Sequence, residues 1–321
     1  MSMLMTRKSG LWAVLFVVVY GVIPWLLGDS YVMSLIIAAL IIGGIALAWA
    51  LLSNLGGMLS FGHSAFFGVG AYVSALLTMK AGVGVLPAML IGGVGAVVAS
   101  FAMLPVLRLR GVYFALAILA YSIIFRVVAT QWESMTGGSA GLASIPHMPV
   151  VMGMDLSSRS GSYLVIVTLL VVFAVVYRLI WASHYGMALR AMNGSEDATR
   201  VVGVNSVLLK ASMLFVSAFM TGVIGAFNAH YINFLEPDYA FNGTWVILPV
   251  VAAIFGGYRT IIGPIVGALV VYLVDQLIFK DFIPVGHQLL LGALLVAMII
   301  GSPRGLMPLL EHRLRARTLP R

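Results

Sequence analysis

Residues 31–52 read YVMSLIIAALIIGGIALAWALL, an apolar run without a charge. A bilayer's hydrocarbon core is ~30 Å thick and asks for roughly 20 apolar residues in one helix. Ten such segments lie near 11–27, 31–52, 55–78, 83–106, 111–130, 161–181, 207–234, 244–256, 260–279 and 283–301. A chain of 321 residues that is 62% hydrophobic and 9% charged has no soluble core able to hide them. Long continuous runs are helical in kind, because a membrane β-barrel shows short alternating segments instead. The expected fold is an all-α integral membrane protein, a polytopic bundle of about ten transmembrane helices. The third and eighth segments are the least regular, so one or two helices are expected to be broken or re-entrant.

Charge gives the expected orientation. With the N-terminus in the cytoplasm and sides alternating, all but Lys80, Arg126, Arg159 and Lys280 of the 18 basic residues fall on the cytoplasmic side. The acidic residues Asp29, Glu133, Asp155, Glu236, Asp238 and Asp281 lean outward. Losing one span would reverse everything after it, so an even count with both N- and C-termini cytoplasmic is expected. The net charge of +8 and the basic tail RLRAR then follow from topology and anionic lipid, without nucleic acid. No small-x-small cleavage site follows Leu27, which favours an uncleaved first helix after Arg7 and Lys8. The chain has no cysteine, so disulfides and thiolate metal sites are excluded.

Residues 53–72, SNLGGMLSFGHSAFFGVGAY, combine bilayer-grade hydrophobicity with serines, an asparagine, a histidine and glycines. An anchor does not need that mixture; a broken or tightly packed helix beside a polar path does. His63 has no second ligand at i+3 or i+4 and is not a metal site. It either contacts solute or gates it, or it satisfies a neighbouring helix. Small residues recur four apart at Ser60, Ser64 and Gly68; Gly92, Ala96 and Ser100; Ala218, Gly222 and Ala226; and Gly263 with Gly267. That spacing lets helix backbones approach closely. Asp275 is the one carboxylate well inside an apolar segment, read as pairing near the outer interface or as a coupling-ion site. Arg126 is placed to pair with Glu133. Gly57, Ser60 and Gly62 are faintly echoed by Gly257, Thr260 and Gly263.

Two polar stretches remain, an outer one at 131–160 and an inner one at 182–206, each too short for a catalytic domain. In the inner one, Leu189, Met192, Ala198, Val201 and Val202 form apolar faces of short helices. Arg190, Glu196, Asp197 and Arg200 face water, and Gly203 ends the helix. Mixed rather than polybasic charge suits a partner's groove better than a lipid surface. Neither a phosphate-binding loop nor a hydrolase motif is present, so no enzymatic activity is expected.

The segments SNLGGMLSFGHSAFFGVGAYVSALL, RLRGVYFALAILAYSIIF, TGGSAGL, YGMALRAMNGSEDATRVVGVN, LFVSAFMTGVIGAFNAHYINFLEPDYA and VVAAIFGGYRTIIGPIVGALVVYLV follow one another over roughly 40–305. In this order the chain resembles the LivM-type permeases of branched-chain amino acid ABC importers, the LivH/LivM family. The resemblance implies one transmembrane permease domain over 1–321, with 131–160 periplasmic and 182–206 carrying a cytoplasmic coupling helix. It implies the bacterial inner membrane, a LivH-like second permease, two cytoplasmic ABC ATPases and a periplasmic solute-binding protein. ATP and Mg would be bound by the ATPases, leaving this chain no cofactor and no ATPase site of its own. The family's EAA---G pattern falls on Asp197, Ala198, Thr199 and Gly203, with Asp in place of Glu and Thr in place of the second Ala. Candidates for ATPase coupling are Gly186, Leu189, Arg190, Glu196, Asp197, Ala198 and Gly203. Candidates for the substrate pathway are Asn54, Ser60, His63, Ser64, Phe67, Tyr113 and Thr136. Branched-chain or hydrophobic amino acids are the implied solutes, with urea, short-chain amides or other small polar solutes as the alternative. An ion-coupled secondary transporter is the rival class, and it has only His63 and Asp275 for a relay. A non-transporting scaffold leaves 53–72 unexplained.

Overall fold

The uncharged run after Ser30 forms the axis of the molecule, helix α1 (Tyr31–Gly56). Ser30 accepts a hydrogen bond from Met33 N and caps its start. Its most apolar stretch is 89% buried inside the chain, so it is a central helix rather than a lipid-facing one. The computed structural model describes residues 18–151, 153–280, 286–301 and 305–309. Helical turns at Val18–Val22 and Ile23–Leu27 precede α1.

A non-helical stretch, 57–62, separates α1 from α2 (His63–Lys80). α3 (Val85–Ser100) tightens into a 3-10 stretch, Phe101–Arg108, that contains Pro105. Then come α4 (Val112–Gln131), α5 (Arg159–Ala182), the short helices α6 (His184–Gly194) and α7 (Glu196–Val201), and α8 (Ser206–Ile232). α9 (Thr244–Gly256) follows a turn at Pro237–Ala240. α10 (Gly263–Val274) runs into a π-helical turn, Asp275–Phe279, and α11 (His287–Gly301) closes the described bundle. Among the described residues the strands are minimal: β1 (Leu142–Ala143), β2 (Val150–Val151), β3 (Met154–Asp155) and β4 (Phe234–Leu235). β1 pairs antiparallel with β4, Leu142 opposite Leu235, and β2 pairs antiparallel with β3.

Six helical units among the described residues are long and apolar enough to cross a bilayer: α1, Val85–Arg108, α4, α5, α8 and Pro237–Gly256. α2 is more polar, and it is wrapped by protein on most sides, so it needs less apolar surface. α10 with its π turn is a shorter apolar unit, Gly263–Phe279. The expected segments 11–27 and 283–301 lie partly outside the described residues, as do Arg7, Lys8, Asp281 and the basic tail.

Helices α2, α3 and α8 pack closest. A Cβ on Gly70 would lie 2.2 Å from Gly222 O, and one on Gly222 would lie 2.5 Å from Ala96 Cβ. No side chain fits there, so the small residues at 92, 96, 222 and 226 serve backbone approach, which holds helices together in lipid.

Apart from the short helices α6 and α7, loops that follow the bundle helices alternate between two opposite ends. At one end, Asn193 Nδ2 donates to Asn54 O at 2.9 Å, Asn54 Nδ2 reaches Arg259 O at 3.4 Å, and Arg110 meets Asp197. At the other, Lys80 Nζ donates to Ser134 O at 3.1 Å, Arg159 bonds Asp29 O, and β1 meets β4. Arg126 pairs with Asp238 at 3.5 Å, not with Glu133. The last turns of α4 face the Pro237–Ala240 turn, while Glu133 packs beneath Gly138.

Candidate functional site

The break at 57–62 is held by specific bonds. Trp49 Nε1 of α1 donates to Ser60 O at 2.9 Å, and Ser60 Oγ accepts from Gly62 N at 3.2 Å. α2 then starts at His63, fully buried, with Nε2 2.9 Å from Ser217 Oγ of α8. The Ser217 hydroxyl donates to Ala48 O at 3.0 Å. A hydroxyl has one proton, so Ser217 must accept from His63, which fixes the Nε2–H tautomer. The other nitrogen, Nδ1, and the neighbouring Ser64 Oγ are buried without a hydrogen-bond partner among the described residues. One turn on, Phe67 stacks on Trp245 of α9 with centroids 4.3 Å apart.

Ser60, His63, Ser64 and Phe67 therefore meet in one buried region between α1, α2, α8 and α9. The remaining pathway candidates lie elsewhere. Asn54 sits at the far end of α1 and bonds Tyr177 OH at 2.9 Å. Tyr113 is 76% exposed at the start of α4. Thr136 lies in the turn after α4, donating to Ala129 O at 2.6 Å. Ser217 was missed because one serine in an apolar run carries no signal of its partner. The same holds for a second pair, Ser74 of α2 with His230 Nε2 of α8 at 2.9 Å.

The stretch 183–205 folds into α6 and α7, each capped by a serine hydroxyl, Ser183 and Ser195. Gly186 allows the turn from α5, since a Cβ there would lie 2.2 Å from Ile180 O. Leu189 is buried under α6, while Arg190 donates to Trp181 O at 2.9 Å and lies over the Trp181 ring. Glu196 is the knot: its carboxylate binds Lys210 Nζ of α8 and Arg200, both at 2.7 Å, with Arg110 Nε at 3.8 Å. Burial alone would push this carboxyl up. Hydrogen bonds from Lys210 and Ser206, with the charges of Lys210 and Arg200, outweigh it and hold the group below the usual range. Asp197 pairs with Arg110 at 2.8 Å, and that hydrogen bond and charge depress its carboxyl too. Ala198 is exposed; its N–H bonds Ser195 Oγ at 3.3 Å. Gly203 ends α7 at φ 86°. Beyond the knot, Val201 and Val202 are 87% and 76% exposed.

A cavity of about 680 Å³ opens between α1, α8, α9, α10 and α11. Its walls are apolar at Ile41, Ile42, Leu248 and Val251, with Asn228 and Asp275 among the polar groups. Asp275 is 4% exposed and accepts from Gln276 Nε2 at 3.2 Å, so it is buried in this wall and paired there. Trp245 joins the cavity to Phe67 and the break.

A multi-pass helical bundle, broken beside a buried polar cluster and hollow between its helices, has the architecture of a membrane transport subunit. The chain belongs to the branched-chain amino acid transport system permease component family, whose family model matches residues 31–299. It is 29% identical over 287 residues to the high-affinity branched-chain amino acid transport system permease protein LivM of Escherichia coli, covering 82% of this chain and 66% of that one. The Salmonella typhimurium protein of the same name is 29% identical, covering 83% and 67%. A probable branched-chain amino acid transport permease protein LivM of Methanocaldococcus jannaschii is 23% identical, covering 71% and 69%. The chain spans about two thirds of the length of these relatives. No solved structure matches it significantly.

Proposed function

We propose that this chain is the membrane-spanning permease subunit of an ATP-driven importer of branched-chain or other hydrophobic amino acids in the bacterial inner membrane. Family membership and the relatives' names support the solute class. The charge distribution supports ten spans with both termini cytoplasmic, 131–160 outside and 182–206 inside. The partners in this reading are a second, LivH-like permease, two cytoplasmic ATPases that bind ATP and Mg, and a periplasmic binding protein. This chain brings no cofactor and no ATPase site.

The observation that carries the reading is the build of 183–205. Two apolar side chains, Val201 and Val202, stand in solvent on a helix fixed to the bundle by the Glu196 knot. A solvated valine pair on a rigid mount suits a partner's groove. ATPase closure would move α7; Glu196–Lys210 passes the motion to α8, and Arg110 passes it to α4. α8 carries Ser217, so His63 and the helix break follow. Such coupling requires the ATPase to bind the two end states differently.

The test is the double substitution Val201→Asp with Val202→Asp in the co-expressed importer. Both side chains are exposed, so folding is spared to within about 0.5 kcal/mol. Co-purification of the ATPases and leucine uptake should both fall at least tenfold. Unchanged assembly and uptake would refute the docking role.

A further inference from the structure

The 680 Å³ cavity has a chemistry that the helix break does not. Along the π-helical turn, three side chains form a line: Asp275, Gln276 and Lys280. Gln276 donates to Asp275 Oδ2 at 3.2 Å and accepts from Lys280 Nζ at 2.8 Å. The amide thus bridges a buried carboxylate and an exposed ammonium at the cavity rim. An α-amino acid zwitterion carries the same two charges in a complementary order, its ammonium matching Asp275 and its carboxylate matching Lys280. Across the cavity, Ile41, Ile42, Leu248 and Val251 form an aliphatic stretch of wall. Depth is favourable too. Ile42 lies eleven residues into α1, about 16 Å at helical rise, and Lys280 lies toward the end that also holds Asp29 and Lys80. The π turn at the end of α10 re-aims these side chains, and π turns are frequent at functional sites.

We infer that this cavity, within the single chain, is a binding site for a zwitterionic amino acid with an aliphatic side chain, entered from the end that bears Lys280. Asp275 takes the ammonium, Lys280 the carboxylate, and the wall of α1 and α9 the side chain. The inference rests on the import-permease reading and adds where in this subunit the solute lodges. Pockets of this type are largely apolar with a few placed polar groups, and they are generally larger than the ligand.

The chain has no cysteine, so a single introduced thiol reports on one place. In membranes holding the assembled importer, Leu248→Cys puts a thiol in the cavity wall and Val201→Cys puts one on the exposed inner helix. The readout is the rate of alkylation by a small water-soluble maleimide. L-Leucine should slow alkylation at 248 at least fivefold and leave 201 unchanged. Glycine, which lacks the side chain, and 4-methylpentanoate, which lacks the ammonium, should protect neither. Adding Asp275→Asn, or Lys280→Gln if the first variant fails to assemble with the ATPases, should abolish protection. A thiol at 248 that the reagent never reaches, or that leucine leaves equally reactive, overturns the site. Leucine uptake measured on the same membranes separates the two ideas. Uptake without protection sinks the site and keeps the permease reading; absence of both sinks the reading itself.

Discussion

His63 Nε2 and Ser217 Oγ meet at 2.9 Å although 154 positions separate them, and the pair has a counterpart. Farther along the same two helices, Ser74 meets His230 at 2.9 Å, with the histidine now on α8. His230 Nδ1 donates to Pro146 O at 2.8 Å, so its Nε2 accepts from Ser74. As neutral imidazoles the two take opposite tautomers, each set by a carbonyl or by a hydroxyl that a carbonyl orients. Ser217→Ala strands a buried N–H and should cost about 1–3 kcal/mol. His63→Gln keeps a donor and should cost less than His63→Ala. Thermal unfolding of the purified chain in detergent checks the order, and a His63–Ser217 double-mutant cycle should give a coupling above about 0.5 kcal/mol. A coupling near zero would show that the contact does no work in the fold.

The knot at Glu196 predicts a different pattern. Lys210 is 8% exposed, so Glu196→Ala leaves a nearly buried ammonium without its carboxylate and should cost about 3 kcal/mol. Arg110→Ala breaks an exposed, solvent-screened pair with Asp197 and should lower the melting temperature far less than Glu196→Ala. The pH response follows from the depressed carboxyl of Glu196. A group whose folded value lies below its unfolded one stabilises the protein above the unfolded value, about 4.3 for glutamate. That contribution is lost as pH falls further, through the folded value. Melting temperature should therefore hold from pH 7 to about 5.5 on this account and drop in acid, and Glu196→Gln should flatten part of the drop.

What the sequence disclosed and what it withheld divide along physical lines. The irregularity of the third segment was visible because glycine, serine and histidine are out of place in a lipid-grade run, but its expected bounds of 55–78 did not place the break at 57–62 or the start of α2 at His63. The short helices of 183–203 were visible because mixed charge, spaced apolar residues and Gly203 are local signals; their capping serines went unread. Partners were not visible. Ser217, Ser74 and His230 are ordinary polar residues until packing brings two distant helices together. Arg126 finds Asp238 rather than the nearby Glu133 because chain direction at the end of α4, not proximity in sequence, decides what it faces. The cavity escaped because its walls are the same Ile, Leu and Val that would face lipid. The burial of Asp275 in a cavity wall was not visible either, since a π turn and a hollow between helices leave no mark on hydropathy.

Close backbone contact makes a sharper stability test than any of the polar pairs. Gly70→Ala drives a methyl to 2.2 Å from Gly222 O, and neither helix has a flexible side chain to yield. The expected penalty is about 3 kcal/mol or more, at the upper end for overpacking. Gly194→Ala, at the end of α6, meets nothing within 4 Å and should change stability by less than about 1 kcal/mol. Yield of monodisperse protein after detergent extraction, with melting temperature, distinguishes the two. Equal behaviour would mean that α2 and α8 do not approach this closely.

The faint echo between residues 57–62 and 257–263 has a structural counterpart that can be tested by symmetry. Gly57 at φ 65° ends α1, and Gly257 at φ 102° ends α9. Three residues later in each case a hydroxyl accepts a backbone N–H where the next helix begins. Ser60 Oγ accepts from Gly62 N at 3.2 Å, and Thr260 Oγ1 accepts from Gly263 N at 3.0 Å. Trp49 binds Ser60 O at the first break and packs edge-on against Tyr258 beside the second. A hydrogen bond of this kind is worth about 1 kcal/mol. Ser60→Ala and Thr260→Ala should each lower stability by about that amount, whereas Ser60→Thr and Thr260→Ser keep the hydroxyl and should cost less. If the two breaks move together during transport, each alanine variant should also slow leucine uptake by a similar factor at saturating solute. A loss confined to Ser60→Ala would leave the first break as the moving part and Thr260 as a static cap.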